Sequence, residues 1–191
     1  MTGQQNQIGI FVRAVAFAAE KHRRQRRKDA EASPYINHPI ALASVLAIEG
    51  GISDPSVLCA AVLHDTIEDT QTTGEELATI FGSKVAEVVL EVTDDKSLEK
   101  HVRKQRQIEH ASHMSTEAKL VKLADKICNL RDILASPPAN WSADRKRAYF
   151  DWAAQVVGGV RGVHPELEAL FDGIHARSAE FSQVVSGGER E

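Results

Sequence analysis

The sequence predicts an all-α protein that folds as one domain. Apolar residues recur at three- and four-residue spacing along most of the chain, which is typical of amphipathic helices. Helix-start signals, such as the Asp54-Pro55 pair and Ser142, precede several of these segments. No stretch shows the sustained alternation of apolar and polar residues that indicates a strand. The length of 191 residues suits a single domain, which we expect to span residues 1–191.

The first helix is expected near the N-terminus and should run on into a basic stretch at residues 23–28. Five of these six residues are basic, and cations are favourable at a helix C-terminus. The following residues, 29–37, are rich in Asp, Ser, Pro and Asn and predict a loop. A second helix should begin near His38-Pro39, since proline is favoured at the first helical position, and end at Gly50.

The third helix is expected to be the central buried one. It should begin at Asp54-Pro55, and its residues 57–63 are apolar on every face. A short fourth helix is predicted after it, because Thr72 and Glu75 have the spacing of a capping box.

The rest of the chain also has helical character. Residues 98–110 are mostly polar and predict an exposed helix with weak anchoring, whereas residues 117–134 are strongly amphipathic. The last residues, from about 183 to 191, are expected to be disordered. The predicted helices after Gly82 cover residues 83–92, 98–110, 117–134, 142–160 and a final segment from Pro165.

Composition and charge exclude several classes of protein. The net charge of -4 argues against general nucleic-acid binding. The longest apolar stretch, residues 40–48, is too short to span a membrane, and no signal peptide opens the chain, so we expect a cytoplasmic protein without a membrane partner. Cys59 and Cys128 lie among apolar neighbours and are expected to be buried free thiols. A homo-oligomer is left open.

The pair His64-Asp65 at the end of the third helix is the first candidate for chemistry. A buried His–Asp pair is costly unless a divalent metal or hydrogen bonds compensate. If the helix persists, Glu68 and Asp69 lie one turn beyond this pair on the same face. Like charges at this spacing repel, which favours a functional role over a solvated acidic helix end. Glu68 and Asp69 are then placed to transfer protons during catalysis.

Two further candidates lie elsewhere in the chain. His38 stands at the start of the second helix, where a surface capping role is the alternative. Asp125 lies within an apolar run, where the alternative is a surface carboxylate paired with Lys122 or Lys126. Two imidazoles and two carboxylates suit a divalent first-row metal, and the lack of a thiolate argues against structural zinc. The H…HD…D set on three helices consists of His38, His64, Asp65 and Asp125.

These motifs and their surroundings resemble a known family, the HD superfamily, and specifically the hydrolase domain of RelA/SpoT proteins. The form most similar is the small alarmone hydrolase of the metazoan SpoT-homolog type, and the resemblance covers about residues 14–160. The segments that carry it are KHRRQRRKD at 21–29, PYINHP at 34–39, LHDTIEDT at 63–70, VTDDK at 92–96, residues 118–131 and WAAQVV at 152–157.

The resemblance implies a single-domain helical bundle of the HD type and a manganese-dependent reaction. It implies that Mn²⁺, or another divalent first-row metal, is bound by His38, His64, Asp65 and Asp125, and that the catalytic carboxylates are Glu68 and Asp69. The implied substrate is a guanine nucleotide alarmone, (p)ppGpp. Removal of its 3′-pyrophosphate would give GDP or GTP plus pyrophosphate. The implied substrate-binding residues are Arg27, Lys28, Asn129 and Tyr149.

Two other functions are compatible with the same residues. One is a phosphatase acting on another nucleotide, such as removal of the 2′-phosphate of NADPH. The other is a non-catalytic, metal-dependent module that binds an alarmone. The presence of Glu68 and Asp69 argues against the second, since a binding module gains nothing from additional carboxylates facing phosphates.

Several other polar and aromatic residues are assigned structural roles. Within the basic stretch, Arg23 and Arg24 are expected to be solvated, in contrast to Arg27 and Lys28. Trp141 and Trp152 are expected in the core because their neighbours are apolar. Surface or capping roles are expected for the remaining histidines, His22, His101, His110, His113, His164 and His175.

Overall fold

The computed structural model describes residues 3–185, and its regular structure is helical, which confirms the predicted all-α class. Extended pairing in this range is limited to an isolated bridge between Arg26 and Pro34. The α-helices are α1 (Gly3–Lys21), α2 (Asn37–Ser44), α3 (Pro55–Leu63), α4 (Thr66–Asp69), α5 (Gly74–Phe81), α6 (Ser83–Val92), α7 (Lys100–Ala111), α8 (Thr116–Ala135), α9 (Ala143–Val160) and α10 (Pro165–Ala176). A π-helical segment, Val45–Glu49, extends α2, and a 3₁₀ segment, Arg177–Val185, follows α10.

Helix α3 is the centre of the fold, as its sequence predicts. The side chain of Asp54 accepts a hydrogen bond from the Ser56 amide and so caps the helix, and Pro55 occupies its first turn. Most of its side chains are buried, and it packs against α1, α2, α6 and α8. A helix that is apolar on every face is stable only when neighbours cover all of it.

Helix α8 lies beside α3 and also contacts α2, α6, α9 and α10. Ser115 caps it by accepting a hydrogen bond from the Ala118 amide. Its buried apolar side chains include Leu120, Leu123 and Ile127, and they hold this long helix against the core. The ends of α2 and α3 and the middle of α8 therefore meet, and these are the places from which the H…HD…D residues come.

The predicted continuation of α1 into the basic stretch is wrong. The helix ends at Lys21, and a turn closed by a hydrogen bond from the Gln25 amide to the His22 carbonyl leads into an irregular segment. The physical reason is the His22 ring, which turns inward, is only 2% exposed and packs on the ring of Tyr35. Residues 23–28 are consequently a loop and not a cationic helix end.

The predicted start of the short helix α5 is wrong by one residue. The cap is Thr73, whose hydroxyl accepts a hydrogen bond from the Glu76 amide. Thr72 is buried, and its hydroxyl is instead hydrogen-bonded to that of Thr70. Two adjacent threonines offer the same local signal, and burial of the first one leaves the second to cap the helix.

Helices α9 and α10 each begin directly after a residue whose side chain caps the first turn. Ser142 accepts a hydrogen bond from the Arg145 amide at the start of α9, and His164 caps α10, which opens with Pro165. No helix in the described part of the chain is long and apolar enough to cross a membrane.

Cys59 and Cys128 are buried free thiols, as expected. Of the tail that the sequence predicts to be disordered, residues 183–185 belong to the 3₁₀ segment and residues 186–191 lie outside the described range.

Candidate active site

Three of the four residues in the H…HD…D set form a close cluster. The candidate ligand atoms of His38, His64 and Asp65 all lie within 4.8 Å of one another, and both histidines are buried. Asp125 lies beside this cluster, with its Oδ1 atom 3.3 Å from Nε2 of His38. The side chains come from α2, the end of α3 and the middle of α8, so the helix packing around α3 brings them together.

A break in the helix separates the cluster from the carboxylates that follow it. Helix α3 ends at Leu63, and the backbone of Asp65 leaves the helical region at φ -100° and ψ 1° before α4 begins. The Asp69 amide still donates a hydrogen bond to the Asp65 carbonyl, 2.9 Å away. The helix therefore does not persist unbroken, as the sequence-based spacing argument required, but one turn still connects these two aspartates.

The cluster has the donor chemistry of a divalent metal site. Nδ1 of His64 lies 2.8 Å from the Ala61 carbonyl and donates to it, which leaves the lone pair of a neutral ring on Nε2. That Nε2 atom is buried without a well-aligned hydrogen bond, although Asp65 Oδ2 lies 2.9 Å away, and Nδ1 of His38 is also buried without a partner. A lone pair facing a carboxylate oxygen at this distance is repelled unless a proton or a metal cation lies between or beside them. The residues therefore fit a divalent ion.

The cluster attracts positive charge, and a divalent ion bound there would compete with a proton on His64. Burial lowers the pKa of His64, but the Asp65 carboxylate outweighs burial and the net pKa is raised. Burial, together with the nearby Arg27 and His64, lowers the pKa of His38, which favours the neutral ring that binds metals. Burial opposes ionisation of Asp125, yet Lys126 and His38 hold its pKa well below its usual range. The carboxylates thus remain anionic at neutral pH, as metal ligands must.

Glu68 and Asp69 lie beside the cluster in different surroundings. Burial, together with the carboxylates of Asp65 and Asp94, raises the pKa of Glu68 to about 7, even though its Oε2 atom accepts a hydrogen bond from the Asp94 amide at 3.2 Å. Asp69 accepts a hydrogen bond from Gln25 at 2.5 Å and is paired with the ammonium group of Lys96. One carboxylate is therefore poised to exchange a proton near neutral pH, and the other is held by two donors.

His38, Glu68 and Asp69 line a cavity of about 820 Å³. The expected substrate-side residues Arg27, Lys28, Asn129 and Tyr149 all line it, whereas Arg23 and Arg24 are exposed outside it. The volume is sufficient for a nucleotide. Five cations line the walls, namely Arg26, Arg27, Lys28, Lys96 and Arg103.

Arg27 crosses the cavity to the far wall. Its guanidinium pairs with Asp132, lies 3.4 Å from the amide oxygen of Asn129 and sits over the ring of Tyr35 at 5.8 Å. The amide nitrogen of Asn129 in turn donates a hydrogen bond to Asp125 at 2.6 Å. Arg27 is thus linked to a candidate metal ligand through a single side chain.

Several residues of the site were not singled out from the sequence. Tyr35 donates a hydrogen bond from its hydroxyl to Asp65, and Gln25 bridges His22 to Asp69. Both lie in segments that carry the family resemblance, which was the available signal. Arg103 comes from the polar helix α7 and approaches Glu68 to 3.7 Å, a contact that no local pattern indicates.

Some structural assignments need correction. His22 is buried and is not a surface histidine, and His175 is half-buried and stacked on Phe171. Trp152 is in the core, as predicted. Trp141 differs from the prediction, because it is half-buried and lines the cavity. Three other histidines are exposed, as expected, namely His101, His110 and His113.

Comparisons with known proteins agree on one family. A family model described as an HD domain matches residues 14–150. The protein named guanosine-3′,5′-bis(diphosphate) 3′-pyrophosphohydrolase MESH1 is 57% identical in Danio rerio, over 83% of this chain and 88% of that protein. The human protein of the same name is 56% identical over the same shares of the two chains.

A solved structure gives the same result at the level of the fold. It is described as a metazoan ortholog of SpoT that hydrolyzes ppGpp and plays a role in starvation responses. It superposes with a TM-score of 0.85 at 47% sequence identity, and the match covers 88% of this chain and 94% of the other. With its helical architecture, its His–Asp cluster and these similarities, the chain belongs to the HD domain family.

Proposed function

We propose that this protein is a guanosine-3′,5′-bis(diphosphate) 3′-pyrophosphohydrolase, which releases pyrophosphate from the ribose 3′ position of (p)ppGpp. The observation that carries the proposal is a cavity whose walls carry the carboxylates of Glu68 and Asp69 and five cations, and which reaches the His–Asp cluster at His38. Relatives at 56–57% identity over most of both chains bear this name. The substrate has two diphosphate groups, and the cationic walls suit them.

We further propose that the cluster holds one divalent ion, for which manganese is the expected identity. The ligands would be His38, His64, Asp65 and Asp125. When bound, such an ion polarises a phosphoryl oxygen and makes water more acidic. The buried Nε2 atom of His64, which has no hydrogen-bond partner and lies 2.9 Å from Asp65 Oδ2, supports this role. The identity of the ion rests on the family resemblance alone.

The proposed step is displacement at the phosphorus joined to the ribose 3′-oxygen. A water oxygen forms a bond to this phosphorus, the bond from phosphorus to the 3′-oxygen breaks, and the 3′-oxygen gains a proton. The products are pyrophosphate and GDP from ppGpp, or GTP from pppGpp. Glu68, with a pKa of about 7, is suited both to take a proton from water and to return one to the leaving oxygen.

The remaining residues would bind and orient the substrate. Lys96, which now contacts both Glu68 and Asp69, is placed to bind the 3′-diphosphate next to these carboxylates. Arg27 would exchange its partner Asp132 for a phosphate, since guanidinium–phosphate pairs are strong and bidentate. Asp69 is held by Lys96 and Gln25, which gives it a defined position for proton transfer or for orienting water.

The test is product analysis on a panel of nucleotides, with Mn²⁺ and with EDTA. We expect GDP and pyrophosphate from ppGpp with Mn²⁺, and no turnover with EDTA. Orthophosphate as the sole phosphorus product from all nucleotides, including NADPH, would replace this proposal with the phosphatase alternative. Tight binding of ppGpp without turnover would replace it with the binding module.

We place this reaction in the cytoplasm within a single domain. The buried free thiols of Cys59 and Cys128 are in keeping with a reducing compartment. The net charge of -4 is the reason to expect no nucleic-acid partner.

A further inference from the structure

Lys126 is a buried cation next to a candidate metal ligand. It lies on α8, its side chain is 3% exposed and its Nζ atom is 2.9 Å from Oδ2 of Asp125. The same atom donates to Oε1 of Gln107 at 3.0 Å and lies 4.4 Å from the ring centroid of Trp152. None of the steps above uses this lysine. A buried ammonium is costly unless it is paired and hydrogen-bonded, so its position calls for a reason.

The two carboxylate oxygens of Asp125 have different surroundings. Oδ2 is engaged by Lys126 at 2.9 Å. Oδ1 accepts a hydrogen bond from Asn129 at 2.6 Å and lies 3.3 Å from Nε2 of His38, on the side of the metal cluster. Lys126 therefore fixes the rotation of the carboxylate about its side-chain bonds, because a turn that offered Oδ2 to the cluster would break a charge-assisted hydrogen bond.

We propose that Lys126 is the positioning residue of the metal site, which directs one oxygen of Asp125 toward the ion. This proposal rests on the proposed metal set. Partners of this kind, which contact the ligands and not the ion, affect metal affinity by about 10- to 100-fold in other metalloproteins.

Gln107 connects Lys126 to the proposed catalytic carboxylates. Its amide nitrogen donates to Asp94 at 2.6 Å, and the Asp94 amide donates to Glu68 at 3.2 Å. Gln107 belongs to α7, which the sequence predicts to be weakly anchored, yet this side chain fastens the helix between α8 and the residues after α6. The Gln107 amide thus binds both the lysine that orients Asp125 and the carboxylate of Asp94, the residue whose backbone amide contacts Glu68.

Lys122 is a matched control on the same helix. It is 6% exposed and lies one turn before Lys126, and its Nζ atom donates to the Val92 carbonyl at 3.0 Å. No hydrogen bond of Lys122 to a member of the metal cluster is present among the described residues. Replacement of Lys122 therefore removes a buried lysine from α8 without removing a contact to a candidate ligand.

The experiment is calorimetric titration of the full-length, metal-free protein with Mn²⁺ alone. We expect Lys126→Met to weaken binding at least about 10-fold, Lys126→Arg to stay within a few-fold of the parent and Lys122→Met to match the parent. In assays with ppGpp, saturating Mn²⁺ should restore much of the kcat of Lys126→Met, since the defect is one of metal affinity. Equal Mn²⁺ affinities for Lys126→Met and Lys122→Met would overturn the proposal.

Two further measurements keep the result decisive. If Lys126→Met does not fold, as judged by circular dichroism, Gln107→Leu takes its place, because it removes one of the two hydrogen-bond acceptors of Lys126 and leaves the charge. Its Mn²⁺ affinity should then fall below that of Lys122→Met, and an unchanged affinity would refute the positioning role. A parent protein that binds no Mn²⁺ would instead contradict the proposed metal set, which distinguishes the two failures.

Discussion

The hydroxyl of Tyr35 donates a hydrogen bond to Oδ2 of Asp65, the same oxygen that lies 2.9 Å from Nε2 of His64. Burial and the Asp65 carboxylate raise the pKa of Tyr35, so the hydroxyl keeps its proton and remains a donor at every physiological pH. This contact fixes the orientation of a candidate metal ligand from outside the cluster, in the way that Lys126 does for Asp125.

Removal of this hydroxyl should weaken metal binding. We expect Tyr35→Phe to lose at least about 10-fold in Mn²⁺ affinity, since the ring stays in place and only the donor to Asp65 is lost. Tyr149→Phe is the control, because Tyr149 lines the same cavity and packs on Trp141 and Trp152. Calorimetric titration with Mn²⁺ measures both variants, and equal affinities for the two would contradict the role of Tyr35.

Asp125 should be required for stable metal binding. We expect Asp125→Ala to lose bound metal after dialysis, because the variant removes one of two anionic ligands and leaves Lys126 as an uncompensated charge near the site. Elemental analysis of the dialysed protein measures this. His164→Ala is the control, since His164 caps α10 away from the cluster. Undiminished metal in Asp125→Ala would remove this residue from the ligand set.

Glu68→Gln should separate proton transfer from metal binding. The amide keeps the size of the side chain but cannot accept a proton, and general acid–base catalysis contributes about 100- to 10,000-fold. We therefore expect kcat to fall by about that factor, with metal content unchanged. Single-turnover rates and elemental analysis decide the matter, and the same reasoning applies to Asp69→Asn. Activity within a few-fold of the parent in both variants would mean that neither carboxylate transfers protons.

The raised pKa of Glu68 also predicts a pH dependence of stability for the metal-free protein. The pKa in the folded state is about 7 and the ordinary value is 4.5, so folding binds a proton between these values. The free energy of unfolding of the parent should therefore fall as pH rises from about 4.5 to 7. Glu68→Gln should not show this contribution, because its amide does not titrate.

Thermal unfolding of the two metal-free proteins between pH 4 and 8 measures this difference. We expect the melting temperature of Glu68→Gln to exceed that of the parent most at pH 8, and the gap to close near pH 4, where Glu68 is protonated in both states. A gap that is constant with pH would show that Glu68 has no raised pKa in the folded protein.

The basic residues of the loop at 23–28 should differ in how much each contributes to substrate binding. Arg27 and Lys28 line the cavity, whereas Arg23 pairs with Glu20 on the outside. Charge-assisted hydrogen bonds contribute about 1.5–3 kcal/mol each, so we expect replacement of Arg27 and Lys28 by alanine to raise KM for ppGpp at least about 10-fold. The matched control replaces Arg23 and Arg24. Equal changes of KM in steady-state kinetics would indicate a diffuse positive field instead of a site.

Much of the fold could be predicted because its signals are short-range. The caps Asp54, Ser142 and His164-Pro165 act within the first turn of a helix, and the apolar character of residues 57–63 indicates burial without reference to any partner. The sequence also indicates the H…HD…D set as candidate metal ligands, because ligand chemistry restricts which side chains are suitable. The adjacent threonines show the limit of local signals, since burial of Thr72 decided which of the two caps α5.

The sequence by itself determined the helical class, the residue types of the candidate metal ligands and the basic segment beside them. Only the tertiary structure decided that His22 turns inward, that Gln25 reaches Asp69 and that Lys126 meets Gln107. The physical reason is that these contacts join residues from different segments of the chain, and their partners depend on how α1, α7 and α8 pack. Local periodicity specifies which face of a helix is buried, whereas the residue that a buried polar group meets is set by the neighbouring element.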